Sequence, residues 1–327
     1  MKPQLRPLGK TGLQVSSIGL GLAALGRPGY INLGHGEDVG PDRDVEAMER
    51  RAHDVLDTAF DAGVRYFDAA RSYGRAEQFL ASWLRRRGLA PGAITVGSKW
   101  GYRYTAGWQV EAEHHEIKEH SIKMLRAQTI ETRRHLGDYL DLYQIHSATL
   151  ESGVLYDKQV LAGLNELRAE GLVVGLTTSG PRQAEIVRRA LLAEADGVNP
   201  FSCVQATWNP LETSAGPALA EAHGSGWGVI VKEALANGRL TDRGGAPDAI
   251  RSAAGALGVG PDAVAIAAAL AQPWADVVLS GASTVNQLAG NLRATEIAAE
   301  KIELERLLSA AEEPADYWAT RASLPWN

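Results

Sequence analysis

Short apolar runs alternate with longer amphipathic stretches along most of this chain. Residues 8–16 read as a small hairpin with Lys10, Thr11 and Gly12 at its turn. Residues 17–21 form a first strand, and 26–42, rich in Gly and Pro, a long loop. Residues 45–62 predict a helix with Val45, Met48, Ala52, Val55, Leu56 and Ala59 on one face. From there a unit recurs: strand 65–69 with helix 75–87, then strand 94–99 with a long loop and helix 117–136. Strand 141–146 precedes helix 157–170, strand 173–178 helix 182–194, and strand 203–207 helix 212–223. Strand 228–232 precedes helical segments at 247–257 and 261–272, and strand 276–280 precedes helix 284–297. The strands are apolar throughout, as parallel strands covered on both faces should be. Eight strand–helix units favour an α/β fold of the closed (β/α)8 TIM-barrel type, with an N-terminal β-hairpin and a C-terminal helix and tail. An open doubly wound sheet is the competing arrangement. Residues 300–327 read as a helix followed by a tail with Trp318 and Trp326. No linker-like stretch divides the chain, so residues 1–327 are expected to form one domain.

Composition narrows the partners. Lys plus Arg number 33 and Asp plus Glu 39 in 327 residues, a net charge of −6. That balance argues against a nucleic-acid protein, which would show a basic face. The single cysteine, Cys203, excludes an internal disulfide framework and fits a reducing, cytoplasmic setting. The start, from Met1 to Pro7, has no apolar core of signal-peptide length, and no run is long and apolar enough to span a membrane.

In a parallel barrel the strand ends that open on one face carry the chemistry. Four candidates share that face. Asp68 ends the second strand, Tyr73 follows in its loop, Lys99 ends the third strand and His146 the fourth. Each alone has a bland reading as packing or as a satisfied surface donor; on consecutive strand ends they become neighbours. A free phenol has a pKa near 10, too high for easy proton exchange at neutrality. A Lys ammonium beside it favours the phenolate, an Asp holds that Lys in place, and a neutral His can orient a carbonyl oxygen. The set makes a general acid beside a polarised C=O.

The stretch Phe67-Asp68-Ala69-Ala70-Arg71-Ser72-Tyr73-Gly74-Arg75-Ala76-Glu77 resembles the signature of the aldo-keto reductases, with Ala69 where threonine is usual. The resemblance runs from the hairpin at 8–15 to about residue 297. It implies Tyr73 as proton donor, Lys99 as its tuning partner, Asp68 as the anchor of Lys99 and His146 as the substrate orienter. It also implies a nicotinamide cofactor, NAD or NADP, and a small-molecule carbonyl or sugar substrate. Family members occur as monomers and as ring assemblies. The Tyr-Gln-Ile-His-Ser run at 143–147 is similar to the aldose-dehydrogenase branch.

The implied cofactor contacts are Gly21, Thr177, Thr178, Gln205, Lys232, Leu235, Gly281, Ser283, Thr284, Gln287 and Asn291. Thr177 and Thr178 stand where the family has a Ser-Asn pair against the carboxamide, so an amide donor is missing. Gln205 matches the second carboxamide contact. Lys232 stands where many members stack an aromatic ring on the nicotinamide; its stem could pack there, its charge could face a phosphate, or it could pair with Glu233. Residues 280–287 resemble the loop that holds the adenosine end, and the loop has no cation before Arg293, which favours NAD slightly. Ser283 and Thr284 could equally cap the following helix.

Other signals remain. Gly19-Leu20-Gly21-Leu22-Ala23-Ala24 fits a Rossmann fingerprint, but Leu25 to Gly29 cannot open the required helix. His114, His115 and His120 cluster with Glu113 and Glu116, and His115 and Glu119 would share a helix face; the pattern lacks a metalloprotease arrangement, so no metal is expected. Trp100 and Tyr102, with Tyr104 and Trp108, suit a lid over the substrate. Two rival functions stay open: a Schiff-base lyase using Lys99 or Lys232, and a nucleotide-binding subunit without turnover.

Overall fold

A computed structural model describes residues 4–327; Met1, Lys2 and Pro3, part of the start read for a signal core, lie outside the described residues. The chain opens with an antiparallel hairpin, β1 (Leu5–Pro7) and β2 (Gln14–Ser16). β3 (Ile18–Gly21) is the first barrel strand. α1 (His35–Val39), α2 (Val45–Asp61), β4 (Tyr66–Asp68), α3 (Ala76–Arg87) and β5 (Thr95–Trp100) follow. A second antiparallel hairpin, β6 (Tyr102–Tyr104) and β7 (Glu116–Lys118), precedes α4 (Ile122–Leu136). Then come β8 (Leu142–Ala148), α5 (Lys158–Ala169), β9 (Val173–Thr178), α6 (Gln183–Leu191), β10 (Cys203–Thr207) and α7 (Gly216–Gly224). β11 (Gly228–Lys232), α8 (Asp248–Leu257), α9 (Pro261–Leu270), β12 (Val277–Ser280) and α10 (Val285–Leu292) complete the barrel. α11 (Leu304–Leu308) and α12 (Pro314–Ala322) lie beyond it.

Eight strands, β3, β4, β5, β8, β9, β10, β11 and β12, close into a parallel barrel. The β12–β3 pairing, with Leu279 opposite Gly19, seals it and rules out the open sheet. Side chains alternate along each strand. Tyr66, Leu142, Cys203, Ile230, Val277 and Leu279 form the inner cluster. Their neighbours Phe67, Val96, Tyr143, Val204 and Val278 pack outward against the helices. Tyr66 fills much of the interior because two strands are stripped to glycine beside it. A Cβ on Gly19 would stand 2.7 Å from its ring, and one on Gly97 2.6 Å from its hydroxyl.

Several boundaries differ from the sequence reading. The Gly- and Pro-rich loop at 26–42 contains the single-turn helix α1. The helix expected from residue 117 starts at Ile122, because Glu116–Lys118 pairs with Tyr102–Tyr104 and Ser121 caps α4, accepting from Met124 N at 3.1 Å. His115 and Glu119 therefore share no helix face. The helix expected from residue 212 begins at Gly216, after Asn209 and Glu212 bridge to each other. α10 ends at Leu292 and passes into a 3-10 turn, Arg293–Glu296. Trp318 belongs to α12 rather than to a tail. Among the described residues, no single helix is long and apolar enough to cross a membrane.

Candidate active site

Strand alternation brings one set of inward residues to the C-terminal mouth: Asp68 on β4, Lys99 on β5, His146 on β8, Thr177 on β9, Gln205 on β10 and Lys232 on β11. All except Lys99 line a cavity of about 690 Å³, and Lys99 lies beneath it. Lys99 Nζ pairs with Asp68 Oδ2 and donates to Ala69 O at 2.9 Å. The other Asp68 oxygen receives Tyr66 Oη at 3.0 Å, Gln205 Nε2 at 3.2 Å and Gln144 Nε2 at 3.4 Å. This buried pair is thus supported by three donors, of which Tyr66 and Gln144 escaped the sequence reading. Such support is what makes a buried ion pair tolerable. Strand periodicity would have found both, since each is two positions before a site residue.

Tyr73 hangs over this pair. Its hydroxyl is 3.4 Å from His146 Nε2, and the Lys99 ammonium is 4.8 Å from its ring centroid. Ser72 Oγ lies 3.2 Å from His146 Nδ1 and fixes the imidazole from behind. His146 reaches the mouth at an irregularity in the β8–β9 register between Ile145 and Ala148, where Ser147 adopts φ +52°. A bulge of this kind re-aims the side chain beside it. The signature glutamate, Glu77, is buried and accepts from Ser98 Oγ at 2.6 Å and Thr132 Oγ1 at 2.8 Å, tying α3 to β5 and α4.

The electrostatics differ from the simple expectation of a lowered phenol. Burial pushes the Tyr73 pKa above the ordinary tyrosine range; the Asp68 carboxylate adds to this and the Arg27 guanidinium opposes it. Much of the Lys99 charge is answered by Asp68. Burial drives His146 well below the usual imidazole range, with Lys99, Arg27 and Lys232 pushing the same way, so the ring is neutral at physiological pH.

Arg27 is the largest omission from the sequence reading. It is buried, donates to Ala23 O at 3.1 Å and pairs with Glu116 of β7. Its guanidinium carbon stands 5.1 Å from the Tyr73 ring centroid and 4.8 Å from each of the Tyr30 and Trp326 centroids. Trp326 in turn stacks on His115, centroids 3.7 Å apart. The lone arginine in a loop carried no pattern that would single it out.

The substrate-facing expectations divide. Tyr102 lines the cavity, 5.0 Å from His146 between centroids. Trp100 does not: it is out of phase with Lys99, faces the helices and is fully buried. The threonine pair splits the same way. Thr177 faces the cavity, its Oγ1 accepting from Ser147 N at 2.7 Å, whereas Thr178 is turned outward and donates to Gln183 Oε1 at 3.2 Å.

The cavity extends to the start of α10. Gly21, Leu235, Gly281, Ser283, Gln287 and Asn291 line it. Thr284 does not; it caps α10, accepting from Gln287 N at 3.2 Å. Asn291, oriented to satisfy both ends of its amide, donates to Asp262 Oδ2 at 2.9 Å and accepts from Ser280 Oγ at 2.8 Å. Arg243, beyond β11, supplies a cation from outside residues 280–293. It binds both oxygens of Asp38 at 2.9 Å, and Gln287 Nε2 donates to the same carboxylate at 2.6 Å. Arg293 pairs with its neighbour Glu296 instead.

The family model described as "Aldo/keto reductase family" matches residues 17–312. Norsolorinic acid reductase of Aspergillus flavus is 25% identical over 57% of this chain and 49% of its own. The chain therefore spans about half the length of that curated relative. L-galactose dehydrogenase of Arabidopsis thaliana is 25% identical over 74% of this chain and 69% of its own. Among solved structures, a Pseudomonas aeruginosa protein described as a putative aldo-keto reductase superposes with TM-score 0.65 at 26% identity, covering 91% of this chain and 95% of that one. Aldo-keto reductase AKR11C1 of Bacillus halodurans, in its holo form, gives 0.69 at 21% identity, covering 95% and 97%, a likeness of fold.

Proposed function

Since the chain belongs to the aldo-keto reductase family, we propose that it is an NAD(P)-dependent oxidoreductase interconverting a carbonyl and an alcohol, with Tyr73 exchanging the proton. The observation that carries this reading is the pairing of Tyr73 Oη with His146 Nε2 at 3.4 Å, above the buried Lys99–Asp68 pair, at the head of a long cavity.

The residues present fit a dinucleotide. A cavity of about 690 Å³ is in the range of ligand sites. A Cβ on Gly281 would meet nothing within 4 Å, so a glycine there leaves the cavity open. Thr177 has a hydroxyl proton left to donate, and the Oε1 of Gln205 can accept from a carboxamide. A bound nicotinamide would supply the hydride. The chain's residues do the rest. Neutral His146, with Ser72 donating to Nδ1, presents Nε2–H to a carbonyl oxygen. Tyr73, kept protonated by burial, gives that oxygen its proton in reduction; in oxidation it takes the alcohol proton as its own passes on to solvent. Tyr102 and the aromatic wall exclude water.

At the adenosine end, Asp38 and Asp262 face the cavity and Arg243 is already paired. Carboxylates suit ribose hydroxyls and repel a 2′-phosphate, which favours NAD. A finer reading is oxidation of a hydroxylated aldose. It is favoured by the paired charges around Tyr73, Arg27 with Glu116 and Arg321 with Glu233, which offer many donors and acceptors. The lyase rival is disfavoured for Lys99, whose ammonium is buried and bound to Asp68.

A nucleotide-fluorescence titration, followed by a panel of aldehydes, ketones and aldoses, tests the reading. Nucleotide binding with turnover of one class is expected. Absence of nucleotide binding overturns it, and tight binding with no turnover favours the silent subunit.

A further inference from the structure

Lys232 is the cation at the mouth that the fold answers least. Lys99 is paired with Asp68, Arg27 with Glu116 and Arg321 with Glu233. Arg321 holds Glu233 through Nε, at 3.0 and 2.9 Å from its two oxygens, and through Nη2 at 2.6 Å. Glu233 is thereby drawn away from Lys232, whose nearest carboxylate oxygen is 3.6 Å distant. The hydrogen bond of Lys232 Nζ goes instead to the neutral Thr207 Oγ1 at 2.8 Å. Glu233 itself sits at φ +54°, a left-handed conformation that costs a non-glycine residue and that the Arg321 grip helps to hold.

The reacting carbon must lie within reach of Tyr73 and His146, and its hydride partner about 3–3.5 Å from that carbon. Thr177, Gln205 and Lys232, inward residues at the ends of three adjacent strands, line the same cavity as Tyr73 and His146. In the oxidative direction the alcohol C–H bond would break, its hydrogen leaving with both electrons to a bound nicotinamide. The hydroxyl proton would pass to Tyr73 as the phenol gives its own proton up to solvent, and a bound nicotinamide would lose its positive charge on taking the hydride. A fixed cation beside the ring favours that loss.

Resting on the nucleotide reading above, we propose that Lys232 is an electrostatic director: its ammonium makes the site prefer the reduced over the oxidised nicotinamide and so biases the enzyme towards alcohol oxidation. Arg321 acts through Glu233 as the positioning residue that keeps this charge exposed to the cavity. Burial draws the Lys232 pKa down to about 8; Glu233 opposes this, and Arg321 and Lys99 add to it. The groups facing it are Thr207 on β10, Glu233 at the end of β11, Arg321 and Trp318 on α12, Lys99 on β5 and His146 on β8. His146 titrates well below that range and Tyr73 above the ordinary tyrosine value, so neither masks the lysine.

The test measures dissociation constants of NADH and NAD⁺, and of the phosphorylated pair, by quenching of tryptophan fluorescence. Wild type, Lys232→Met, Lys232→Arg and Arg321→Met are compared between about pH 6 and about pH 10. The preference for the reduced form should fall roughly tenfold in Lys232→Met, the scale of one partly screened charge a few ångström away. In wild type it should decline as pH passes the lysine pKa, and in Lys232→Arg it should persist across the range. Arg321→Met should lower it about threefold, as Glu233 turns to Lys232. If Lys232→Met does not fold, the wild-type pH series and Lys232→Arg decide. Binding of both forms with a preference that neither substitution nor pH changes overturns this inference and leaves the proposed activity standing. Failure of wild type to bind either nucleotide overturns both.

Discussion

A Cβ placed on Gly26 would stand 2.2 Å from the Tyr73 carbonyl oxygen. The loop after β3 meets the loop after β4 backbone to backbone, and Arg75 N donates to Gly26 O at 2.7 Å. Gly74 completes the contact at φ +58°, with its own Cβ position 2.4 Å from Gly26 O. Gly26→Ala should therefore push Tyr73 out of place. The expected result is a stability loss of about 1–3 kcal/mol from overpacking and a larger fall in kcat than in nucleotide affinity. Thermal melts with steady-state kinetics check it; an unchanged kcat would show that Tyr73 tolerates the shift.

Tyr73→Phe should cost roughly 10²–10⁴ in turnover, the usual weight of a positioned general acid. Nucleotide dissociation constants should barely move, because the phenol hydroxyl touches His146 and not the adenosine end of the cavity. Turnover of model aldehydes at the wild-type rate would remove Tyr73 from the proton-donor role.

Trp100 and Tyr102 are two residues apart in sequence and should behave oppositely. Trp100→Ala empties a fully buried site and should cost about 3–5 kcal/mol of stability. Tyr102→Ala sits on the cavity wall and should change KM with little effect on the melting temperature. Denaturant titrations of both variants, with KM for the best substrate, separate them; a KM change confined to Trp100→Ala would reverse the assignment.

Asp38 holds Arg243 and Gln287 together at the adenosine end. Asp38→Ala should free the guanidinium for a 2′-phosphate and raise NADPH affinity roughly tenfold relative to NADH, since a charge-assisted phosphate contact replaces an internal pair. The ratio of the two dissociation constants is the measurement. A ratio equal to wild type would mean that Arg243 cannot reach the nucleotide.

The N-terminal end of the barrel carries a pH signature. Asp141, just before β8, accepts from Val96 N at 2.8 Å, yet burial pushes its pKa up to about 6. The folded state thus holds its proton more tightly than the unfolded chain. Its contribution to stability is greatest below the unfolded value, declines as pH rises through about 6, and stays low above that. Asp141→Asn keeps an acceptor oxygen and removes the titration. Its melting temperature relative to wild type should rise between about pH 4.5 and about pH 7; a difference independent of pH would contradict the burial argument.

Local signals carried most of the architecture. The β9, β10 and β11 strands fall where apolar runs placed them, and Asp68, Tyr73, Lys99 and His146 meet at one mouth as their strand-end positions required. The errors came from phase and from distant partners. Trp100 and Thr178 sit next to the inward residues Lys99 and Thr177 but one step out of register, and a period of two sends such neighbours into the helix layer. Arg27, Arg243 and Arg321 lie in loops or a terminal helix, where no periodicity marks them. Each acquires its role only from a carboxylate 89, 205 or 88 positions away: Glu116, Asp38 and Glu233.

By itself, the order of residues determined the alternation of strands and helices, the barrel and the four titratable groups at its opening, because these depend on contacts and spacings within one strand–loop unit. Only the closed tertiary structure decided which face each strand-end side chain takes, which cations must share a carboxylate and how far burial moves each pKa. Those quantities depend on what stands opposite in space, and a carboxylate brought across the barrel mouth by folding leaves no trace at the position it neutralises.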